Sequence, residues 1–160
     1  MIVKSQKKGA GIMEVIVGLA IVMLGVFVLL RTYNYYLKFG LLHKYDVQAA
    51  LLAEEGIEAV KLLRDSGWTN KISTLNSGIV YRLAFVNSSW TSTTTVKYID
   101  GVFDRTFVLS DVYRDSNDDV ANSGTLDPGT RKLIVFVAYR SGLSTTTKSI
   151  SAYITNLFAN

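Results

Sequence analysis

The acidic residue Glu14 lies within the longest apolar stretch of the sequence, where a charge is costly. Residues 15–30 carry no charged side chain, and the stretch extends back to Ala10 with Glu14 as its only interruption. A carboxylate inside a membrane-spanning helix costs on the order of 3 kcal/mol, so such residues usually have a partner and a function. Glu14 is therefore a candidate for pairing with a buried cation. The alternative is a position at the level of the lipid headgroups, where the charge costs little.

A second concentration of charge occurs in the polar stretch 114–129. Its candidate ligands for a cation are Asp115, Asn117, Asp119 and Asp127. The first three follow the one-three-five spacing with which an EF-type loop presents oxygen atoms to calcium. However, Val120 occupies the position where the sharp turn needs glycine, and Leu126 the twelfth position, where such a loop has glutamate. Calcium binding is thus one interpretation, and a polar loop of turn-forming residues between two strands is the other.

Apart from these acidic residues, the sequence offers little catalytic chemistry. It has no cysteine, which excludes disulfides, thiolate metal sites and cysteine nucleophiles. The single histidine, His43, lies among Leu41, Leu42 and Lys44, and no motif supplies it with a catalytic partner. The sequence also contains no phosphate-binding loop, nucleophile elbow or zinc-ligand spacing. We therefore predict a protein without enzymatic activity and without a cofactor other than the calcium just considered.

The basic residues are concentrated before the apolar stretch. Lys4, Lys7 and Lys8 account for three charges of the formal net charge of +4. Basic residues beside a span favour the cytoplasmic side, which predicts a cytoplasmic N-terminus and an exported remainder. A conventional signal peptide has a shorter apolar core that is followed by a small-residue cleavage site. Here the small residues precede the core, at positions 9–11, so a cut there would remove the basic leader and keep the apolar helix.

The apolar periodicity indicates which element would carry Glu14. After Arg31, apolar or small residues recur at steps of three or four, at Leu41, Tyr45, Ala49, Leu52, Gly56, Val60 and Leu63. No proline precedes Gly67, which stands where a helix would end. The sequence therefore predicts one helix from Ala10 to Asp65, which is apolar on all sides in its first half and on one side in its second.

Beyond Trp68 the apolar pattern changes to the alternation that is typical of strands. The alternating runs are 79–86, 105–113, 133–139 and 150–154, and the Ser/Thr-rich stretch 88–95 is predicted to be an exposed loop. We expect an α+β fold in which about four antiparallel strands pack against the C-terminal half of the helix. The predicted divisions are a leader (1–9), a transmembrane or fibre-core helix (10–32), an amphipathic helix (33–66) and a globular β head (67–160).

The N-terminal sequence KKGAGIMEVIVGLAIVML resembles the class III signal of type IV prepilins and pseudopilins. In that family a peptidase cuts after the glycine that ends a basic leader and methylates the new N-terminus, and a glutamate stands fifth in the mature chain. Gly9 matches the leader glycine, Ala10 the methylated N-terminus, and Glu14 the fifth-position glutamate, whereas a cut after Gly11 would place Glu14 third. Two features depart from the family pattern. Ala10 replaces the usual phenylalanine, and Arg31 stands where many members have a helix-bending proline.

The resemblance implies a structural subunit of a type IV pilus-like or type II secretion pseudopilus-like fibre. Its partners would be other pilin or pseudopilin subunits, a prepilin peptidase, an inner-membrane assembly platform and, before assembly, membrane lipid. The chain would be a single-pass inner-membrane protein at first and part of an extracytoplasmic fibre later. Within the fibre, Glu14 would pair with the Ala10 amine of a neighbouring subunit and set the axial register, because burying either charge alone is costly.

The subclass and the role of the fibre remain open at this level. The segment LLAEEGIEAVKLLRDSGW is similar to a stretch of minor-pilin-like precursors, and together with Ala10 it favours a minor subunit. Some pseudopilins bind calcium in a C-terminal loop. Major pilins share the same N-terminal pattern, as do fibres for motility, adhesion, DNA uptake and secretion. A singly anchored extracytoplasmic binding protein that does not polymerise is the alternative class, and such an anchor would need neither Glu14 nor a cleavable leader.

Overall fold

The computed structural model describes residues 11–141 and 144–157 of the chain. Gly9 and Ala10, which flank the predicted cleavage site, lie outside the described residues. The chain divides into two compact units, and the boundary falls between His43 and Lys44. Helix α1 (Ile12–Asp65) supplies the described secondary structure of the first unit and begins the second. The predicted long helix and its end at Asp65 are therefore confirmed.

In the first unit, every described residue is exposed. The helix can continue through this unit because no proline interrupts the run. Its short polar side chains bond to the backbone of the preceding turn instead of breaking it. Thr32 donates its hydroxyl to the carbonyl oxygen of Val28, and Asn34 donates its amide to that of Leu30, each over 2.9 Å. This segment is long and apolar enough to cross a membrane.

The second unit combines the rest of α1 with a π-helical turn (Trp68–Ile72) and six strands. The strands are β1 (Val80–Val86), β2 (Ser89–Thr93), β3 (Asp104–Arg114), β4 (Val120–Ala121), β5 (Thr125–Ser141) and β6 (Ser144–Thr155). They lie in the order β2-β1-β3-β5-β6, with β4 paired to β3, and every pairing is antiparallel. The α+β class with an antiparallel sheet is confirmed.

Two predicted loops contain strands, which explains why the sheet has six strands rather than about four. The stretch 88–95 was predicted to be a loop, but it contains β2, which pairs with β1 across the two-residue turn at Asn87 and Ser88. Both turn residues have positive φ angles, of 49° and 59°, as the mirror-image hairpin turns require. The stretch 114–129 likewise contains β4 and the start of β5, because the β3–β5 pairing continues beyond a bulge at Asp111 and Val112.

The core lies between α1 and one face of the sheet. The buried residues of the helix are Ala49, Ala53, Gly56, Ile57, Ala59, Val60 and Leu63. On the sheet, alternate residues of β3 and β5 face them, and register pairs such as Phe107 with Val135 and Leu109 with Leu133 are fully buried. Each large side chain buried in this way contributes roughly 1.5–3 kcal/mol. Leu41, which the periodicity placed on the same face, belongs to the first unit and is exposed.

Candidate functional site

Glu14 lies in the first turn of α1 and is exposed. Its backbone amide donates to the carbonyl oxygen of Gly11 over 2.8 Å, which fixes the start of the helix. A carboxylate in this turn is favoured by the positive end of the helix dipole, and Glu14 is the only acidic residue between Gly11 and His43. Its proposed partner, the amine of Ala10, lies outside the described residues, so the pairing stays a prediction.

The helix around Glu14 exposes a long run of apolar side chains. From Ile12 to Leu30, each large apolar side chain exposes between 51% and 80% of its surface. Further along the helix, the ring of Tyr35 stacks on Phe39 with centroids 6.2 Å apart, and Phe39 meets His43 edge to face at 4.3 Å. Monomeric soluble proteins rarely expose apolar patches of this extent, so the helix is suited to contact with lipid or with other protein. The ring of His43 therefore packs against the ring of Phe39.

In the acidic loop, Asp115 bonds to the backbone of the loop itself. Its carboxylate oxygen Oδ1 accepts hydrogen bonds from the backbone amides of Asn117 at 2.8 Å and Asp119 at 3.1 Å. Its own amide donates to the carbonyl oxygen of Asp119 over 2.9 Å. Asp118 adopts a positive φ of 65°, which aspartate tolerates. These hydrogen bonds close a tight turn between β3 and β4, in which the aspartate side chain accepts backbone amides.

Asp127 is held by Arg114 on the neighbouring strand. Arg114 donates from Nε to Oδ2 of Asp127 over 2.7 Å and from Nη1 to the carbonyl oxygen of Asp118 over 2.8 Å. The backbone amide of Gly129 donates to Oδ1 of Asp127 over 2.9 Å. The hydrogen bond from Arg114, followed by one from Thr130, lowers the pKa of Asp127 below its ordinary value. Asp127 therefore acts as an ionised anchor for the β3–β5 pairing.

These contacts bear on the predicted calcium site. Across residues 11–141 and 144–157, no three His, Cys, Asp or Glu side chains are grouped so that they could hold a metal ion. Asp115 already accepts a hydrogen bond from the backbone amide of Asn117. Asp127 already accepts hydrogen bonds from Arg114 and from the backbone amide of Gly129. The geometry therefore offers no preformed cage for calcium, and calcium binding by this loop stays a prediction from the sequence.

A cavity of about 570 Å³ at one end of the sheet is a feature that the sequence did not indicate. Its lining residues are Tyr45, Tyr98, Gly101, Val102, Asp104, Ala138, Tyr139, Arg140 and Thr145. The tight turn at Asp100 and Gly101, with φ angles of 51° and 68°, turns the chain back towards β3 beside the cavity. The three tyrosines come from three elements that are far apart in sequence, so no spacing rule could bring them together.

Polar contacts behind this cavity hold α1 against the sheet. The hydroxyl of Tyr139 donates to the carboxylate of Asp46, and Lys148 on β6 pairs with the same carboxylate at 3.1 Å. Burial, followed by the contact with Asp46, raises the pKa of Tyr139 above its ordinary value. Tyr139 therefore remains a neutral donor at physiological pH, and its ring packs 6.0 Å from that of Tyr45 in the wall of the cavity.

Comparisons with protein-family models, with curated proteins and with solved structures each found no match. The inference of function therefore depends on the residues and contacts of this chain. Two features carry it: the exposed apolar helix with Glu14, and the α+β head with its cavity.

Proposed function

We propose that this protein is a structural subunit of a type IV pilus-like or type II secretion pseudopilus-like fibre. The observation that carries the proposal is the exposed apolar surface of α1 between Ile12 and Leu30. A surface of this extent needs a continuous apolar environment, which lipid supplies before assembly and the helices of neighbouring subunits supply afterwards. The similarity of the N-terminal sequence to prepilin signals supports a fibre rather than a simple anchor.

Glu14 distinguishes this proposal from a purely anchoring helix. Cleavage after Gly9 would create an ammonium group at Ala10, four residues before Glu14 in the same chain. In the apolar interior of a fibre, that group needs a counter-charge, because an unpaired buried charge costs several kcal/mol. Glu14 of a neighbouring subunit is suited to this role, since the described first-unit residues contain no other acid. A helix that only anchors would be more stable in the membrane without this carboxylate.

The remaining partners follow from the same proposal. A prepilin peptidase would cut after Gly9 and methylate Ala10, and an inner-membrane assembly platform would extract the subunit from the lipid. The lysines before the apolar stretch favour an N-terminus in the cytoplasm and a head on the opposite side of the membrane. The head would then form the outer surface of the fibre. DNA uptake is one of several activities that such fibres serve.

The test of the proposal is the mass of the mature chain. Protein extracted from membranes of cells that contain a prepilin peptidase should lack residues 1–9 and carry one N-terminal methyl group. A Gly9→Leu variant is the matched control and should retain the leader at an unchanged level of membrane insertion. An uncut wild-type chain would contradict the proposal and favour a singly anchored protein. A chain that begins after Leu30 would contradict it too and favour a conventional signal peptide.

A further inference from the structure

The cavity at the end of the sheet has the size and the composition of a ligand site. Its volume of about 570 Å³ falls within the roughly 300–1,000 Å³ that small-molecule pockets typically occupy. Its lining residues are mainly aromatic or apolar, with three tyrosines, Val102 and Ala138, and its polar lining residues are Asp104, Arg140 and Thr145. All of its lining residues belong to the second unit.

The charges that line the cavity are not balanced. Asp104 receives two hydrogen bonds from Arg82, from Nε and Nη2, each over 2.8 Å, so its carboxylate is already neutralised. In the described part of the chain, Arg140 is exposed and has no ion-pair partner. The cavity therefore presents one available positive charge, and it favours a ligand that carries an anionic group.

The tyrosines define the rest of the ligand. The rings of Tyr45 and Tyr139 have centroids 6.0 Å apart and line the cavity, as does Tyr98, which is 57% exposed. Tyrosine presents a flat apolar body with a polar tip, which suits a partner that has an apolar face and a hydroxylated rim. The hydroxyl of Thr145 and the oxygen atoms of Asp104 add groups that can bond to such a rim.

We propose that this cavity binds an acidic saccharide, with a uronic-acid ring against Tyr98 and its carboxylate paired with Arg140. A guanidinium can form two parallel hydrogen bonds to a carboxylate, which gives the site its preference for the acidic sugar. The sugar hydroxyls would bond to Thr145 and Asp104, and a simple aromatic acid could not use these groups. The inference does not depend on fibre formation, because the cavity lies within the head.

Binding can be measured by calorimetric titration of the full-length chain in detergent micelles. The probes are a galacturonic acid oligosaccharide, the matched neutral galactose oligosaccharide and benzoate. The acidic oligosaccharide should bind at least about tenfold more tightly than the neutral one, which lacks a carboxylate for Arg140. It should exceed benzoate by a similar factor, because benzoate has no hydroxyl groups for Thr145 and Asp104. Equal binding of the neutral sugar or of benzoate, or no binding of the acidic sugar, would overturn the proposal.

Variants locate the binding. Arg140→Gln should weaken binding of the acidic oligosaccharide by about tenfold, whereas Tyr98→Ala should weaken binding of both oligosaccharides. Lys71→Gln removes one positive charge from an exposed residue that does not line the cavity, so it should leave the affinity unchanged. Because Arg140 and Tyr98 are exposed, both variants should keep the wild-type melting temperature. An equal loss of affinity in Lys71→Gln would show attraction by net charge and would exclude this site.

Discussion

A Cβ atom added to Gly56 would lie 2.7 Å from Cγ1 of Val135, so α1 approaches β5 more closely than a side chain at position 56 permits. The same atom would lie 3.2 Å from Cδ of Arg105. Val135 is fully buried and β-branched, which leaves it little freedom to move aside. The glycine therefore determines how near the helix lies to the two central strands of the head.

Gly56→Ala should destabilise the head despite the higher helix propensity of alanine. Alanine gains roughly 1 kcal/mol in a helix interior, whereas overpacking a core costs typically 1–3 kcal/mol. We expect the cost to dominate, with a melting temperature several degrees lower in thermal unfolding of the full-length chain in detergent. Gly40→Ala is the matched control, because a Cβ at Gly40 meets nothing within 4 Å. If Gly56→Ala and Gly40→Ala have the same melting temperature, α1 can move away from β5 to accommodate the added methyl group without a loss of stability.

Arg105 occupies a position on β3 where the alternation calls for an apolar residue, and it is 6% exposed. Its Nη1 lies 3.1 Å from Oε1 of Glu55 and 3.3 Å from the carbonyl oxygen of Leu52, and its guanidinium carbon lies 5.4 Å from the centre of the Trp90 ring. Its Nε is buried without a hydrogen-bond partner among the described residues. The side chain thus joins helix, sheet and edge hairpin mainly by packing, with one polar atom unsatisfied.

The change in the free energy of unfolding when Arg105 is replaced should therefore depend on side-chain volume more than on charge. We expect Arg105→Met to be nearly neutral, because it keeps the long side chain and removes the unsatisfied Nε. Arg105→Ala should cost on the order of 2–4 kcal/mol through the cavity that it leaves. Chemical denaturation would measure both. A loss in Arg105→Met as large as in Arg105→Ala would assign the stability to the ion pair with Glu55 instead.

The pairing of Asp127 with Arg114 predicts a pH dependence of stability. The pKa of Asp127 is lower in the folded chain than its ordinary value of 3.8. The contribution of the Asp127–Arg114 pair to the stability of the fold is therefore fully present above that value. It is lost as the pH falls from about 4 through the lower folded pKa. Asp127→Asn should therefore lower the melting temperature at pH 6 and show a smaller decrease between pH 5 and pH 3 than wild type. Asp100→Asn, at an exposed turn position that tolerates asparagine, should follow the wild-type curve.

The acidic loop gives an independent prediction about calcium. Because Asp115 accepts two backbone amides and Asp127 accepts Arg114, we expect millimolar calcium to leave the melting temperature of the full-length chain unchanged. Binding to the folded state alone would instead raise the melting temperature progressively with calcium concentration. Such a rise, abolished in Asp119→Asn and preserved in Asp100→Asn, would restore the calcium interpretation of the sequence.

The parts of the fold that depend on local periodicity could be predicted from the sequence. The end of α1 at Asp65 follows from the apolar spacing together with Gly67, and β1, β3, β5 and β6 follow from the alternation of apolar residues. Strand β2 could not be found in this way, because its Ser/Thr-rich sequence lacks alternation and its stability depends on pairing with β1. The signal that was available is the asparagine at position 87, which favours the positive φ of a two-residue hairpin turn.

Of the candidate sites, one could be predicted from the local sequence and the others could not. Glu14 could be recognised because a single charge within an apolar run is unusual whatever the tertiary structure. The cavity could not, since Tyr45, Tyr98 and Tyr139 line one space only through the packing of a helix, a loop and a strand. The inward-facing Arg105 was also unexpected, because its place in the core depends on contacts with Glu55 and Trp90 from distant segments.

Glu14 provides the most discriminating test of fibre assembly. Glu14→Ala should leave membrane insertion intact, because removal of an acid makes the helix more apolar, and cleavage after Gly9 should persist. Assembly should fail or fall strongly, because the amine of Ala10 would enter the fibre without a counter-charge. Glu14→Gln separates charge from shape, since it keeps the length and hydrogen-bonding capacity of the side chain. Both variants should therefore assemble poorly if the charge pair is the mechanism.

The measurement is the ratio of sheared fibre protein to membrane-retained protein in wild type and in each variant, or incorporation beside the major pilin if this chain is a minor subunit. Glu54→Gln is the matched control, because it removes an exposed acid from the part of α1 that belongs to the head. It should assemble like wild type. If both Glu14→Ala and Glu14→Gln assemble like wild type, the charge pair is not required, and Glu14 lies at the headgroup level. If only Glu14→Ala fails, the role of the side chain is a hydrogen bond or its shape, and the register between subunits does not depend on its charge.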